Sequence, residues 1–540
     1  MPELAPNGDS SDTRRRFYPQ DFRSGLLVFL VALPLCLGIA EAADAPLISG
    51  LLSGIVGGIV VGIISGSRTS VSGPAAGMIV IVTSQIAELD GSFEAFLLAV
   101  VLSGVIQLIF GAIRAGTLTN YFPISILKGL LAAIGVLLIL KMAPRLVGHV
   151  GPLGLSDVSS LSQIQSIVHG LKPTAAIIGL GSLVFLLVWD RIPRLKSSVV
   201  PAPLLVVIVG AAITLVLQNM GIESDSMWGI PDTHLVRVPV AEMSNLQLLL
   251  TSPDWSALTN PNVYVAAVVI AVVSSLNTLI NLKSIENIDP EGRVSPKNRE
   301  LFAQGAGNIV TGLIGGLPVT SVIIRSSVNL NMGVKTRMST VLHGILLVVC
   351  VLAIPGLLNT IPLSSLAAFL VVTGFKLASV ALFRQMWSGG MNQFLPFIAT
   401  VAGIVFVDLL SGLMIGMGVG LAFVLKGAIH TPYSLATDDS ADVTRYRVRL
   451  SNQVTFLNQA KLSRTLDKLS YGSHVILDAT MTHHLDPCIE TLLIEFITKT
   501  APEHDLVVSF EGFKGLASPD GSVYFEEDAG QPDPGSGDSS

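Results

Sequence analysis

Residues 315–331 read GGLPVTSVIIRSSVNLN, and residues 67–77 read SRTSVSGPAAG. Each is small, hydroxylic and broken by glycine and proline, and each opens an unusually short apolar segment in a chain otherwise rich in long ones. Paired interruptions of this kind, one in each half of a membrane chain, mark the central site of an inverted repeat. Arg325 puts a permanent positive charge into the second of them. Whether these two stretches decide the fold depends on whether their surroundings are membrane.

The composition says that they are. The 540-residue chain carries 13% charged residues, against about 25% in an average soluble protein, and its mean hydropathy is +0.68. Apolar segments recur near 24–43, 46–65, 75–88, 93–112, 122–140, 173–189, 201–218, 263–281, 301–315, 324–337, 339–355, 362–376, 393–409 and 411–427. Most have the roughly 17 to 25 residues that a helix needs to cross a bilayer. Arg14, Arg15 and Arg16 precede the first as they would in a signal peptide, but no clear small-residue cleavage site follows, so the segment reads as a retained helix.

With the N-terminus inside, Arg68, Arg114, Arg191, Arg194, Lys196, Lys283, Arg293 and Lys297 fall in cytoplasmic loops. External loops hold only Lys141, Arg145, Lys172 and Arg237, which is the bias of the positive-inside rule. Long external loops at 142–172 and 219–262 divide the fourteen segments into seven plus seven. An odd number per half inverts one half relative to the other. The predicted fold class is therefore a polytopic α-helical membrane protein, with repeats over 21–220 and 260–430 inside a membrane domain of 21–430. A cytoplasmic tail at 1–20 precedes it.

After Lys426 the pattern changes to RYRVRL, VTFLN, HVILDAT and DLVVSF, with helical stretches at 459–470 and 487–500. This predicts a small cytoplasmic α/β domain over 440–515, followed by an acidic Gly/Pro/Ser-rich tail at 516–540 with too little apolar surface to fold. Cys36, Cys350 and Cys488 are too scattered for a disulfide framework or a metal cluster. No nucleophile–base set or metal spacing suggests an enzyme, a cofactor or a nucleic-acid partner.

The residues themselves point to anion chemistry. A half-helix beginning in mid-membrane offers unpaired N–H groups and about half a positive charge. Ser70, Ser72 and Gly73 before Pro74 fit such a helix start, with proline in its first turn, and Thr320 and Ser321 offer the same at the second. Burying Arg325 costs at least roughly 2.5–3.5 kcal/mol on insertion scales, so it should face a cavity or a partner. The plainer reading is an arginine that snorkels or pairs with a carboxylate, but no acidic residue lies near it in the short segments.

In the second segment Gly50, Gly54, Gly58, Gly62 and Gly66 form one bare helix face, which means tight packing and nothing about substrate. Glu41 and Asp44 sit at the external end of segment one, with Glu41 a minor candidate for ion coupling. Lys128 can snorkel, and Asp408 caps the next helix.

SVSGPAAGMIVI at 70–81, DFRSGLLVFLVALPLCLGIA at 21–40, GGLPVTSVIIRSSVNLNMGVKT at 315–336 and FAQGAGNIVTGLIGGLP at 302–318 together resemble the SulP family of inorganic anion transporters. The C-terminal domain resembles a shortened STAS domain, and the resemblance covers about 17–515. It implies a core domain moving against a gate domain as an elevator, a homodimer in the cell membrane with both termini cytoplasmic, and an anion held between segments three and ten. Carried over by position, it implies a site of Pro74, Ala75, Ala76, Ile323, Ile324, Arg325 and Ser326, with Leu35 and Ile39 beside it.

Many relatives carry an acid in segment eight. Here VVSSLNTLINLKS has Asn277 at that place, and Leu35 stands where many have glutamine. Asn277 reads as a packing amide, a substrate contact or a mark of lost cation coupling. The resemblance favours the last, and with it exchange or uncoupled flux over symport. The resemblance implies sulfate or bicarbonate as the substrate, with chloride a further candidate, and the neutral small-residue lining does not rank them.

In DATMTHHLD, His483 and His484 point apart, so a metal is not expected. The STAS resemblance places Asp478, Thr480 and Asp486 in the loop before a helix, with Thr480 a regulatory position. A cytoplasmic partner of that domain, and a sensor role without flux, are the rival expectations. A nucleobase permease of the same fold is a further rival, which Asn277 and Arg325 oppose.

Overall fold

The computed structural model describes residues 18–116, 123–149, 172–196, 201–222, 226, 228–239, 250–430, 433–438, 444–455, 458–482 and 484–513. Residues 1–17 of the N-terminal tail, the acidic tail at 516–540 and His483 lie outside them. The chain divides into two compact units, Met1–Met417 and Gly418–Ser540.

In the first unit a helix stands at each of the fourteen apolar segments. They are α1 (Pro19–Ala42), α2 (Leu47–Ile64), α3 (Ala76–Glu88), α4 (Phe93–Ala112), α5 (Ile124–Leu146), α6 (Pro173–Arg191) and α7 (Ala202–Asn219). After the long loop come α8 (Pro261–Ile288), α9 (Lys297–Ile314), α10 (Ile323–Asn331), α11 (Met338–Ala353), α12 (Leu363–Leu377), α13 (Met391–Phe406) and α14 (Leu409–His430), the last running across the boundary between the units.

Among the described residues, eight stretches are long and apolar enough to cross a membrane alone: α1, α2, α4 to α8, and α12 together with the helix that follows it to Ser388. Proline at the first turn of α1, α6 and α8 costs no hydrogen bond there. Ser92 caps α4 by accepting from Ala95 N, and Asp408 accepts from Ser411 N as expected. Gly315, at φ +93, ends α9 in a conformation that side chains disfavour.

The packing repeats with the symmetry that the two halves imply. Helix α4 packs on α8 and α9, and its counterpart seven helices on, α11, packs on α1 and α2. Likewise α5 packs on α12 and α13, and α12 on α5 and α6. The helices thus sort into a core group, α1–α4 with α8–α11, and a second group, α5–α7 with α12–α14. The glycine face of α2 does what small residues do in lipid. A Cβ on Gly50 would lie 2.1 Å from Cys36 O on α1, and one on Gly58 would lie 2.6 Å from the Cα of Gly344 on α11.

Two strands of two residues each, β1 (Ser72–Gly73) and β2 (Thr320–Ser321), cross antiparallel in the core group, pairing Ser72 with Ser321 and Gly73 with Thr320. This corrects the helix starts read from sequence. Pro74 does not begin a helix; it follows β1, and the first turn is a 3-10 turn at Ala76–Met78. Proline keeps the residue before it extended, and the strand pairing then satisfies backbone groups that a helix start would leave open.

The second unit holds a four-stranded sheet in the order β3 (Tyr433–Asp438), β4 (Arg445–Leu450), β6 (His474–Asp478) and β8 (Val507–Glu511), and a smaller parallel pair, β5 (Gln453–Val454) with β7 (His484–Leu485). Within the sheet β3 and β4 are antiparallel, while β4–β6 and β6–β8 are parallel. The parallel steps need crossovers, which contain α15 (Gln459–Leu466) and α16 (Pro487–Glu495). Val448, Leu462, Val475, Leu477, Ile489 and Leu493 make its core. This sheet region is consistent with a STAS-like domain. Strand β3 was not foreseen, although YSLATD alternates as a strand should.

Candidate functional site

The crossing of β1 and β2 is fixed by side chains of four helices. From α8, Asn277 Nδ2 donates to Thr320 Oγ1 at 3.0 Å, Asn281 Nδ2 to Ser321 O at 2.6 Å, and Ser321 N to Thr278 Oγ1 at 3.2 Å. From α9, Asn308 Oδ1 accepts from Val319 N at 2.6 Å while its Nδ2 donates to Gln107 Oε1 of α4. From α10, Ser326 Oγ accepts from Val71 N at 2.9 Å. Backbone that leaves helical pairing at membrane depth persists only where it is satisfied in this way. Ser274, Asn277, Thr278 and Asn281 recur at helical spacing, and that polar stripe on an apolar helix was the unread sequence signal for this framework.

Both helix starts beside the crossing lack a side-chain cap. Helix geometry therefore leaves the first N–H groups of α3 and α10 without intrahelical partners. Ile323 and Ile324 are 37% and 36% exposed, and Ala76 and Gly77 are half-buried. The remaining expected site residues are buried: Pro74, Ala75, Leu35, Ile39, Arg325 and Ser326. Helix α1, which carries Leu35 and Ile39, packs along α10. Asn277 borders the same place, since a Cβ on Gly77 would lie 3.4 Å from its Oδ1.

Arg325 has no exposed surface. Its Nη2 reaches Cys36 Sγ at 3.3 Å and Pro74 O at 3.5 Å, while Nε and Nη1 have no hydrogen-bond partner. A Cβ on Gly73 would lie 2.2 Å from Nη1, so only glycine admits the guanidinium there. No carboxylate pairs with it among the described residues. The charge thus stands behind the β1 backbone, and sequence reasoning gave no hint of its neighbour Cys36.

The other polar candidates are placed as follows. Glu41 pairs with Arg145 at 2.7 Å. Asp44 pairs with Arg145 at 2.8 Å and with Lys141 at 2.6 Å. Lys128 Nζ donates to Gln385 Oε1 at 3.1 Å. In the second unit Thr480 is exposed, and its hydroxyl donates to Asp478 at 2.5 Å. Burial pushes the Asp478 carboxyl up, but hydrogen bonds from Thr480, Arg449 and Arg447 outweigh it and hold the group at about 2. Asp486 caps α16 through Cys488 N. No cluster of metal ligands occurs among the described residues.

A sequence model described as the sulfate permease family matches residues 19–400. The bicarbonate transporter BicA of Picosynechococcus is 24% identical over 409 residues, 74% of this chain and 68% of its own length. Sulfate transporter 2.2 of Arabidopsis thaliana is 22% identical over 464 residues, 83% of this chain and 67% of its own. The structure of the murine Solute Carrier 26 family member A9 anion transporter in its inward-facing state superposes with a TM-score of 0.72, covering 92% of this chain and 86% of that one at 16% identity.

Proposed function

The chain belongs to the sulfate permease family, and from that premise we propose that it carries a small inorganic anion of the sulfate, bicarbonate or chloride class across the cell membrane, as a homodimer with both termini cytoplasmic. It is a transporter, not an enzyme. The membrane domain is 21–430, crossed fourteen times, with 440–515 a STAS-like domain open to a cytoplasmic partner and Thr480 its regulatory position. The anion sits between the first turns of α3 and α10, against Pro74, Ala75, Ala76, Ile323 and Ile324, with Ser326, Leu35 and Ile39 holding the frame.

One observation carries this reading. Two uncapped helix starts meet at a strand crossing, and a buried guanidinium without a carboxylate stands directly behind it. Helix N-termini favour anions through their free N–H groups and dipole. A cation site would need carboxylates or converging carbonyls, and Asn277 spends its amide on Thr320. Because an amide takes up no proton in the physiological range, the flux is exchange or uncoupled. Translocation is an elevator motion of the core group, which carries the site, against α5–α7 and α12–α14.

The test is flux of labelled sulfate and bicarbonate into proteoliposomes, driven in turn by a counter-anion, a proton or a sodium gradient. Wild-type flux driven by the counter-anion, with Arg325→Ala losing at least tenfold in anion affinity, is the expected result. Full affinity and flux in a folded Arg325→Ala would sink the assignment.

A further inference from the structure

Away from the crossing, α9 carries an acid with no exposed surface. Glu300 accepts from Ser65 Oγ at 2.5 Å and from Gln304 Nε2 at 3.3 Å. Gln304 Nε2 also donates to Ser72 Oγ at 2.7 Å, and Ser72 is the β1 residue that pairs with Ser321 of β2. Gln304 is itself fully buried, and its Oε1 has no partner. A line of polar groups therefore joins a buried carboxyl to the strand crossing at the candidate anion site.

Among the described residues Glu300 has hydroxyl and amide partners and no ion pair, and the one charge that acts on it is that of Arg299 beside it in the chain. The helices packed on α9 are α2, α4 and α8. The α2 segment has no ionisable side chain, α4 has only Glu94 at its start, and α8 has Tyr264 at one end with Lys283 and Glu286 at the other. On α9 itself Lys297 and Arg299 precede Glu300, and Arg299 Nε donates to Ile64 O. Arg337 donates to Ser65 O and Ile63 O. Desolvation without a paired cation is costly for an ionised carboxylate, so the protonated form competes with it.

The relay has two settings. With Glu300 ionised, the Gln304 amide donates to both neighbours and its oxygen is orphaned, as observed. With Glu300 protonated on Oε1, the oxygen that faces Gln304, the carboxylic O–H donates and the turned amide accepts from it through its own Oε1, while Ser65 keeps its bond to Oε2. The same oxygen then accepts from the Ser72 hydroxyl. Protonation thus reverses the hydrogen bond at β1 and removes a negative charge from behind the anion.

We propose that Glu300 is a proton-binding site linked to the anion site through Gln304 and Ser72, such that protonation tightens anion binding. Rested on the transport reading above, in which flux is exchange or uncoupled, this sets a pH response rather than a driving force. Linkage is reciprocal, so anion binding must take up a fraction of a proton.

The experiment uses the full chain and sulfate, which stays a dianion near neutral pH. At equal pH on both sides, wild-type sulfate flux should rise as pH falls, by up to about tenfold per pH unit. Glu300→Gln should be flat with pH at the wild-type acid level. Gln304→Met, which keeps the acid and cuts the relay, should lose most of the pH response. A pH-flat wild type, or a folded Glu300→Gln with the wild-type profile, overturns the proposal.

If neither variant folds, wild-type protein in weakly buffered detergent decides: sulfate addition must take up protons, and no uptake overturns it. Failure of the transport reading looks different. It would be proton uptake on sulfate binding with no flux of sulfate or bicarbonate at any pH.

Discussion

Arg145→Met should open the face of the protein read as external. Arg145 and Lys141 lie on α5, in the second helix group, while their partners lie in the core group. Arg145 Nη1 contacts Glu41 Oε1 at 2.7 Å and Glu41 O at 2.6 Å, and Nη2 contacts Asp44 Oδ1 at 2.8 Å. Lys141 bridges to Asp44 Oδ2 at 2.6 Å and Thr83 Oγ1 at 3.0 Å. An elevator motion that exposes the site on this face must break these contacts, since both groups cannot keep them while sliding.

Exposed ion pairs contribute up to about 1 kcal/mol, and removing one partner of a buried pair costs about 3–5. Side-chain exposures of 13% for Arg145, 16% for Glu41 and 44% for Asp44 put this cluster between those limits, so about 2 kcal/mol is the working figure. That is a shift of about 30-fold in the ratio of open to closed forms.

The assay is labelling of Ala76→Cys by a membrane-impermeant thiol reagent added outside, in a Cys488→Ser background; the two other cysteines are buried. Adding Arg145→Met should speed labelling by tenfold or more, and Arg145→Glu with Glu41→Arg should slow it again. Unchanged labelling in a folded Arg145→Met would refute the idea that this cluster holds the face shut.

Two further outcomes follow from single contacts. Asn277→Glu restores an acid beside Gly77 and Thr320, and an imposed proton gradient should then drive sulfate uphill, which it does not do in wild type; a mutant without uphill uptake would leave Asn277 as a packing amide. Asp478→Asn should destabilise the second unit by about 2 kcal/mol near neutral pH, read as a lower melting temperature of its transition. Because the folded carboxyl, at about 2, lies below its unfolded value, this stability is present above about pH 4 and lost as pH falls through about 2, so mutant and wild type should converge in acid.

The helices were legible because apolar runs report membrane spans directly, and the glycine face of α2 because spacing alone defines it. What could not be read was the course of the chain at Ser72–Pro74 and Thr320–Ser321. Hydroxylic residues before a proline suit a helix cap and a crossing strand alike, and only the partner strand, about 250 residues away, decides between them. The same long range hid Glu41 with Arg145 and Glu300 with Ser65, since a charge looks solvated in sequence until its distant neighbours are known. Asn277 was found by position, whereas Thr278 and Asn281, its companions on the stripe, were passed over because each looks unremarkable alone.

The placement of Arg325 bears on how an anion would be chosen. A guanidinium that touched the anion would impose its planar fork on the ligand and favour oxyanions of matching geometry. Here the fork is turned toward Cys36, Pro74 and the Cα of Gly73, with no surface open to the site. It can act on an anion only as a charge, through one layer of backbone, and a charge at that remove does not distinguish a round ion from a planar one. On the proposed reading, discrimination among sulfate, bicarbonate and chloride would fall to the backbone N–H groups of the two helix starts and to the size of Ala76, Ile323 and Ile324 around them. That reading assigns affinity and selectivity to different residues. Changes at Ile323 or Ile324 should reorder the anions while Arg325 sets how tightly any of them is held.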